Sequence, residues 1–204
     1  HAPLSSDEDI TDWRNHSGRV CHAHRLDCPG NFYPTAQMIA DQVKYCPRCG
    51  TLLVTNEQSG RQRPACPACR WIYFPNPKVA VAALVIHQGK VLLVRRTNTP
   101  MRGYWTLPAG FVDAGEDPAR AVERECREET GLSVTTSRLL DVIAGQVHAR
   151  GADILIVYQV DIGSGTLKPG DDADRAQFFD LSELPPLAFS STQTILQTWM
   201  KEMK

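Results

Sequence analysis

Residues 110–132 read GFVDAGEDPARAVERECREETGL, and this stretch decides how the rest of the chain is read. Its second half has the pattern of a helix from Pro118 to Thr130. Asp117 suits the N-cap, and Pro118 suits the first turn, where its missing N–H is not needed. Gly131 is a natural stop. Ala121, Val122 and Cys126 form a narrow apolar stripe. Glu125, Glu128 and Glu129 stand at i, i+3 and i+4, so their carboxylates share one face. Three like charges so placed repel and weaken an ordinary helix. A hard divalent cation reverses that effect, because Mg²⁺ prefers oxygen ligands and acts on phosphate oxygens. Glu116 and Arg124 are the natural ion pair tying the preceding loop to the helix. The competing reading is a solvated acidic face, but the glycines, Glu116 and Arg124 around it argue for a site.

Five residues separate Gly110 from Glu116, and seven more lead to Arg124-Glu125. Then come the small apolar Cys126, the unconstrained Arg127, Glu128-Glu129, Thr130, Gly131 and Leu132. Every fixed position of the Nudix box is filled, so the chain resembles the Nudix hydrolases. The resemblance implies an α/β fold, an α/β/α sandwich over a mixed sheet.

Upstream, Cys46-Pro-Arg-Cys49 and Cys66-Pro-Ala-Cys69 are separated by sixteen residues. This is the spacing of a zinc ribbon whose four thiolates close a tetrahedral structural Zn²⁺ site. The alternative is a pair of disulfides. Nothing points to an oxidising compartment, so zinc and a cytoplasmic location are expected. Leu52 to Val54 and Arg61 to Arg63 read as a short hairpin between the pairs. Cys126 reads as a small buried residue. Residues 1–44 are an N-terminal arm ending in a short helix from Pro34 to Lys44; 45–74 are the ribbon; 75–204 are the main domain. Cys21, His22, His24 and Cys28 match no ribbon or finger spacing. A flexible arm, or a segment packed on a partner, is the expected reading. The opening at His1 rather than Met leaves the natural start and any targeting segment open.

In the main domain, Val79 to Ile86 reads as a buried strand and Val91 to Arg95 as its return partner across the turn His87 to Lys90. Trp105 to Leu107 is a short strand ahead of the box. Arg138 to Val147 and Asp153 to Val160 read as strands, Gly163 to Asp174 as a polar loop, and Gln177 to Asp180 as a short strand. Ser190 to Met200 reads as a helix with Ile195, Leu196 and Trp199 on one side. Strands flanking one helix, with a second helix at the end, indicate two layers packed on a sheet.

The chain has 204 residues, is 42% hydrophobic and carries a net charge of −1. That allows one good domain with a small appendage and gives no global basic field, so nucleic acid is not an expected partner. No apolar run reaches the length of a membrane span.

The resemblance narrows to Nudix proteins with a four-cysteine ribbon ahead of the catalytic domain. It covers Cys46 to Phe189, through Asn76-Pro77-Lys78-Val79, Leu92 to Arg96, Gly103 to Phe111, Leu184-Pro185 and Ala188-Phe189. Relatives of this kind are pyrophosphatases acting on ADP-ribose, FAD or similar dinucleotide-like molecules. A second ribbon-bearing group, the NADH pyrophosphatases, has a Ser-Gln-Pro-Trp-Pro-Phe-Pro segment that is absent here, which weakens NADH and RNA decapping as activities. The resemblance implies hydrolysis of a diphosphate bridge in a nucleoside diphosphate linked to another group, with release of AMP. Glu125, Glu128 and Glu129, joined by the Ala109 carbonyl, would hold Mg²⁺ or Mn²⁺. Glu116 and Arg124 complete the catalytic set. The general base is a box glutamate or an acidic residue of the late loop, where Asp171, Asp172 and Asp174 are available and Asp174 is favoured. Arg95 and Arg96 are candidate phosphate contacts. Trp105 and Phe189, with Tyr104, are candidate stacking partners for a base. The resemblance also allows a homodimer. A non-catalytic nucleotide sensor is the alternative outside enzymes, and the complete box argues against it.

Overall fold

The computed structural model describes residues 13–14, 20–21, 43–144 and 151–202. The chain divides into two compact units, His1–Tyr33 and Pro34–Lys204. In the first, β1 (Trp13–Arg14) pairs antiparallel with β2 (Val20–Cys21). The expected Cys21/His22/His24/Cys28 cluster lies outside the described residues. So does the expected helix before the ribbon, apart from Val43 and Lys44, which are not helical.

The second unit begins with a hairpin, β3 (Val54–Gln58) against β4 (Arg61–Ala65). Each flank carries a cysteine turn: the Gly50 N–H donates to the Cys46 carbonyl, and the Arg70 N–H donates to the Cys66 carbonyl.

The main sheet is built from β5 (Val79–His87), β6 (Lys90–Arg96), β9 (Leu132–Ala144), β10 (Ile154–Gly165) and β11 (Ala173–Asp180). Their order is β11-β6-β5-β10-β9, with β5 parallel to β10 and the other pairs antiparallel. Short β7 (Trp105–Thr106) adds to β6, and β8 (Ala109–Phe111) adds to β5. The turn between β5 and β6 puts Gln88 and Gly89 at positive φ, which suits a tight hairpin.

Two helices sandwich this sheet. Val81, Ala83 and Val85 pack with Ala121, Val122 and Cys126 of α1 (Pro118–Thr130). The alternate residues Ala82 and Leu84 pack with Ile195, Leu196 and Trp199 of α2 (Ser190–Glu202). This is why β5 is a continuous apolar run: it is covered on both faces, and its pleat feeds both cores. Among the described residues, no helix is long and apolar enough to cross a membrane.

Three boundaries differ from expectation. β9 starts at Leu132, directly after the helix stop, rather than at Arg138. Leu132 and Val134 are buried, so tertiary packing extends the strand. β10 runs on to Gly165 through a bulged ladder with β9. β11 starts at Ala173 rather than Gln177, which places Asp174 on a strand beside β6.

Candidate functional site

The helix α1 is terminated as its sequence dictates. The Asp117 side chain accepts the Ala119 N–H at 2.8 Å, and Gly131, at φ 72°, donates its N–H to the Arg127 carbonyl. The resulting geometry points Glu125 and Glu129 inward, at 9% and 7% exposure. The Glu128 side chain stays 42% exposed.

Arg124 is the hub. Its Nε and Nη2 each donate to the Glu116 carboxylate at 2.8 Å. Nη1 donates to Glu125 at 2.7 Å and to Glu128 at 3.1 Å, and Nη2 also reaches the Phe111 carbonyl at 3.1 Å. The expected Glu116–Arg124 pair therefore forms as a two-pronged fork. The Arg124 guanidinium and the Asp113 N–H hold the Glu116 carboxyl down at about 2.

The inner carboxylates press on the β8 backbone. Glu129 accepts the Ala109 N–H at 3.0 Å. A Cβ placed on Gly110 would lie 2.0 Å from the Glu125 Cδ, so glycine is what admits that carboxylate. Ala109 faces Ala82 in the ladder, and the neighbouring Ala83 N–H bonds to the Pro108 carbonyl. By the alternation of an antiparallel pair, both polar groups of Ala109 then point away from β5. Its carbonyl is thereby aimed to the side where its N–H meets Glu129.

Burial pushes the Glu129 carboxyl up to about 8, with Glu125, Asp172 and Asp171 adding repulsion. Burial also raises Glu125, against the pull of Arg124. Two nearly buried carboxylates share this wall, and Glu129 has no ion-pair partner among the described residues. An all-oxygen donor set with that unmet negative charge fits a hard divalent cation. Among the described residues the three carboxylates do not gather within 4.8 Å of one another: Glu125 and Glu128 share Arg124 Nη1, while Glu129 is held on the Ala109 N–H.

The late loop reaches the site from the far side. The Gly170 N–H donates to the Glu129 carbonyl at 3.1 Å, and a Cβ on Gly170 would lie 2.5 Å from the Glu128 carbonyl oxygen. Asp172 is held by Asn98 and by Thr97, whose N–H and hydroxyl donate to its carbonyl at 3.0 and 2.9 Å. Asp171, at φ 48°, has an exposed carboxylate with no hydrogen-bond partner among the described residues.

Sequence reasoning favoured Asp174 as base and Arg95 as a phosphate contact, and the structure joins the two. Arg95 Nε and Nη2 grip the Asp174 carboxylate at 2.8 and 2.7 Å, which lowers its affinity for a proton. Arg96 and Phe189 also come together, the guanidinium lying 5.0 Å from the ring centroid. Trp105 is a correction. It is 8% exposed, meets Phe179 edge-on at 4.7 Å and belongs to the α2 core, so its ring is packing rather than a stacking surface. Its apolar neighbours β6 and α2 could not be paired with it from sequence alone. A cleft of about 350 Å³ between Leu184–Leu187 and α2 is lined by none of the box carboxylates.

At the ribbon, the Sγ atoms of Cys46, Cys49, Cys66 and Cys69 lie within 4.8 Å of one another. Cys46–Cys69 and Cys49–Cys66 are each 3.5 Å apart, too long for a disulfide. Tetrahedral zinc–thiolate bonds of about 2.3 Å place sulfurs ~3.8 Å apart, so the four donors fit that ion.

Residues 76–198 match the NUDIX domain family. The chain belongs to the Nudix family. Nudix relatives agree with the fold and divide on substrate. An ADP-ribose pyrophosphatase of Methanocaldococcus jannaschii is 43% identical over 129 residues, 63% of this chain and 76% of that protein. The NAD-capped RNA hydrolase NudC of Vibrio atlanticus is 29% identical over 151 residues, 74% of this chain and 54% of that protein. The chain thus spans about half the length of that hydrolase. The crystal structure of a NUDIX hydrolase from Nitrosomonas europaea superposes with a TM-score of 0.67 at 29% identity, covering 78% of this chain and 92% of that one. The chain is a Nudix pyrophosphohydrolase with a four-cysteine cluster ahead of its catalytic domain.

Proposed function

We propose that the chain hydrolyses the diphosphate bridge of a nucleoside diphosphate linked to another group, with ADP-ribose first and FAD second, releasing AMP. The observation that carries this is the pair of buried carboxylates, Glu125 and Glu129, pressed on the Ala109–Gly110 backbone beside the Arg124–Glu116 fork. Glu125, Glu128, Glu129 and the Ala109 carbonyl are the proposed holders of Mg²⁺ or Mn²⁺. The ion, when bound, neutralises bridging phosphate oxygens and makes water more acidic. Arg124 orients Glu125 and Glu128, and Glu116 holds Arg124. Water attacks one phosphorus, the bridging P–O bond breaks, and the two products leave as phosphate monoesters. Since Asp174 is held by Arg95 and Asp172 by Asn98, Asp171 is the aspartate proposed to accept the proton of the attacking water. Its carboxylate is unbonded among the described residues, and it acts electrostatically on both Glu125 and Glu129. Arg96 and Phe189 are proposed as a stacking surface for the base, with Arg95 as a phosphate contact once released from Asp174. Cys46, Cys49, Cys66 and Cys69 are proposed to hold a structural Zn²⁺.

The match to a NAD-capped RNA hydrolase supports a second reading, in which NADH or an NAD-capped RNA end is the substrate. Both readings cleave the same kind of bridge. A panel of ADP-ribose, FAD, NADH, NAD-capped RNA and a nucleoside triphosphate, run with Mg²⁺ on the parent and on Glu128→Gln, separates them. AMP from ADP-ribose or FAD, lost in the variant, is the expected result. Turnover confined to NADH or capped RNA selects the second reading. No turnover with Mg²⁺ or Mn²⁺ overturns both and leaves a nucleotide-binding module.

A further inference from the structure

The net charge of −1 conceals an uneven distribution. Between Val43 and Phe74 stand Lys44, Arg48, Arg61, Arg63 and Arg70 against the single acid Glu57, a local balance of +4. The remainder of the chain is correspondingly acidic. A zinc ion held by four thiolates contributes −2, and the ribbon still stays positive. Exposed charges act over about a Debye length of 8–10 Å, so this local balance governs what approaches the ribbon.

The ribbon cations are also uncommitted. In the catalytic domain some of the cations, Lys90, Arg95, Arg120, Arg124 and Arg138, pair with carboxylates. Among the described residues, none of the five ribbon cations does. The need to offset thiolate charge accounts for Arg48 and Arg70, which stand beside Cys49 and Cys69. It does not account for Arg61 and Arg63, which lie out on the hairpin.

Aromatic surface is interleaved with this charge. Tyr45 is 63% exposed and Phe74 is 54% exposed. The ladder register opposes Asn56 to Arg63 and Gln58 to Arg61, so both arginines project from one face of the hairpin. The Arg63 guanidinium lies 4.6 Å from the Phe74 ring centroid, and its buried Nε has no hydrogen-bond partner. Leu52 and Val54 add exposed apolar surface, and Tyr45 bridges to Leu52.

Unpaired cations that meet phosphates, next to open π-faces that meet bases, are the chemistry of single-strand recognition. A duplex offers phosphates but keeps its bases stacked inside. We propose that the ribbon, from Lys44 to Phe74, is a binding surface for single-stranded nucleic acid. Lys44, Arg48, Arg61 and Arg70 contact the backbone, while Tyr45 and the Arg63-backed Phe74 stack on bases. This surface is separate from the proposed diphosphate site and does not depend on which small molecule is hydrolysed there.

The test is fluorescence anisotropy with the zinc-loaded full chain, without added Mg²⁺. The probes are single-stranded RNA and DNA of about 12 nucleotides, sized to one small stacking groove, with a 5′-hydroxyl end that offers the catalytic domain no diphosphate. The logarithm of affinity should fall with the logarithm of salt at a slope of about −2 to −3, as for four phosphate contacts on a single strand. Lys44→Glu with Arg61→Glu, both away from the cysteine ligands, should weaken binding at least tenfold, with zinc content and ADP-ribose hydrolysis unchanged. Tyr45→Ala should weaken it about tenfold. A preference between RNA and DNA identifies the natural strand, and either preference supports the surface. Absence of binding at low salt, full affinity in the double charge-reversal variant, or equal affinity for a duplex of the same sequence overturns the proposal.

Discussion

Replacing Gly110 with alanine should disable the site while leaving the fold standing. Gly110 is not at positive φ, so its backbone tolerates a side chain. The obstacle is Glu125, whose Cδ would lie 2.0 Å from the new Cβ and whose two oxygens would lie 2.2 Å away. Carbon atoms pack at about 3.5 Å, so the carboxylate must retreat by roughly 1.5 Å. Its 2.7 Å bond to Arg124 Nη1 then lengthens or drags the guanidinium away from Glu116. A misplacement of about 1 Å in a positioning group costs on the order of 10²-fold in rate, or about 2.7 kcal/mol of barrier. Overpacking costs about 1–3 kcal/mol of stability, which lowers the melting temperature by several degrees for a chain of this size. The assay is ADP-ribose turnover at saturating Mg²⁺, beside thermal unfolding. Expected is a loss of about 10²-fold in kcat in a protein that is still folded. Because the effect is carried by Glu125, Gly110→Ala placed on Glu125→Ala should cost little more than Glu125→Ala alone. Turnover within threefold of the parent, or losses that multiply in the double variant, would refute the reasoning.

The buried Glu129 holds its proton up to about 8, against an ordinary 4.5, so the folded chain binds that proton more tightly than the unfolded one. Without divalent cation its contribution to stability therefore falls as pH rises from about 4.5 to 8, and the parent should lose on the order of 10 °C relative to Glu129→Gln across that window. Melting curves at pH 5.5 and 8 check this, and Mg²⁺ should restore the difference at the alkaline end. Asp174→Asn should change turnover by less than about threefold, while Asp171→Asn should lower it by on the order of 10²-fold, the usual scale for a lost general base; steady-state rates of both variants decide between them. Cys66→Ser should release the zinc and melt the ribbon, because a two-stranded hairpin is marginal alone. Metal analysis should find one zinc in the parent and none in the variant, with the catalytic domain still folded by circular dichroism.

The helix α1 was legible to the residue, because Asp117, Pro118 and Gly131 are local signals that act through the backbone of their own neighbours. The Glu116–Arg124 pair and the four-cysteine cluster were legible for a similar reason: spacing alone brings those groups to one turn or one ion. The late loop was harder. Its three aspartates look equivalent in sequence, and only the pairing of β11 with β6 delivers Asp174 to Arg95, while Asp171 is left exposed without a hydrogen-bond partner among the described residues. Trp105 shows the same limit, since an aromatic residue near a box reads equally as a stacking surface or as core.

What the sequence determined by itself was everything set by local chemistry: helix ends, the shared face of Glu125, Glu128 and Glu129, the two cysteine turns and the apolar run of β5. The tertiary structure alone decided which face of the sheet each strand residue feeds and how deeply Glu125 and Glu129 are buried. It also decided that Gly110 is the gap that admits Glu125, and that the ribbon's cations have no ion-pair partner among the described residues. These are contacts between segments far apart in the chain, and no periodicity or spacing within one segment carries them.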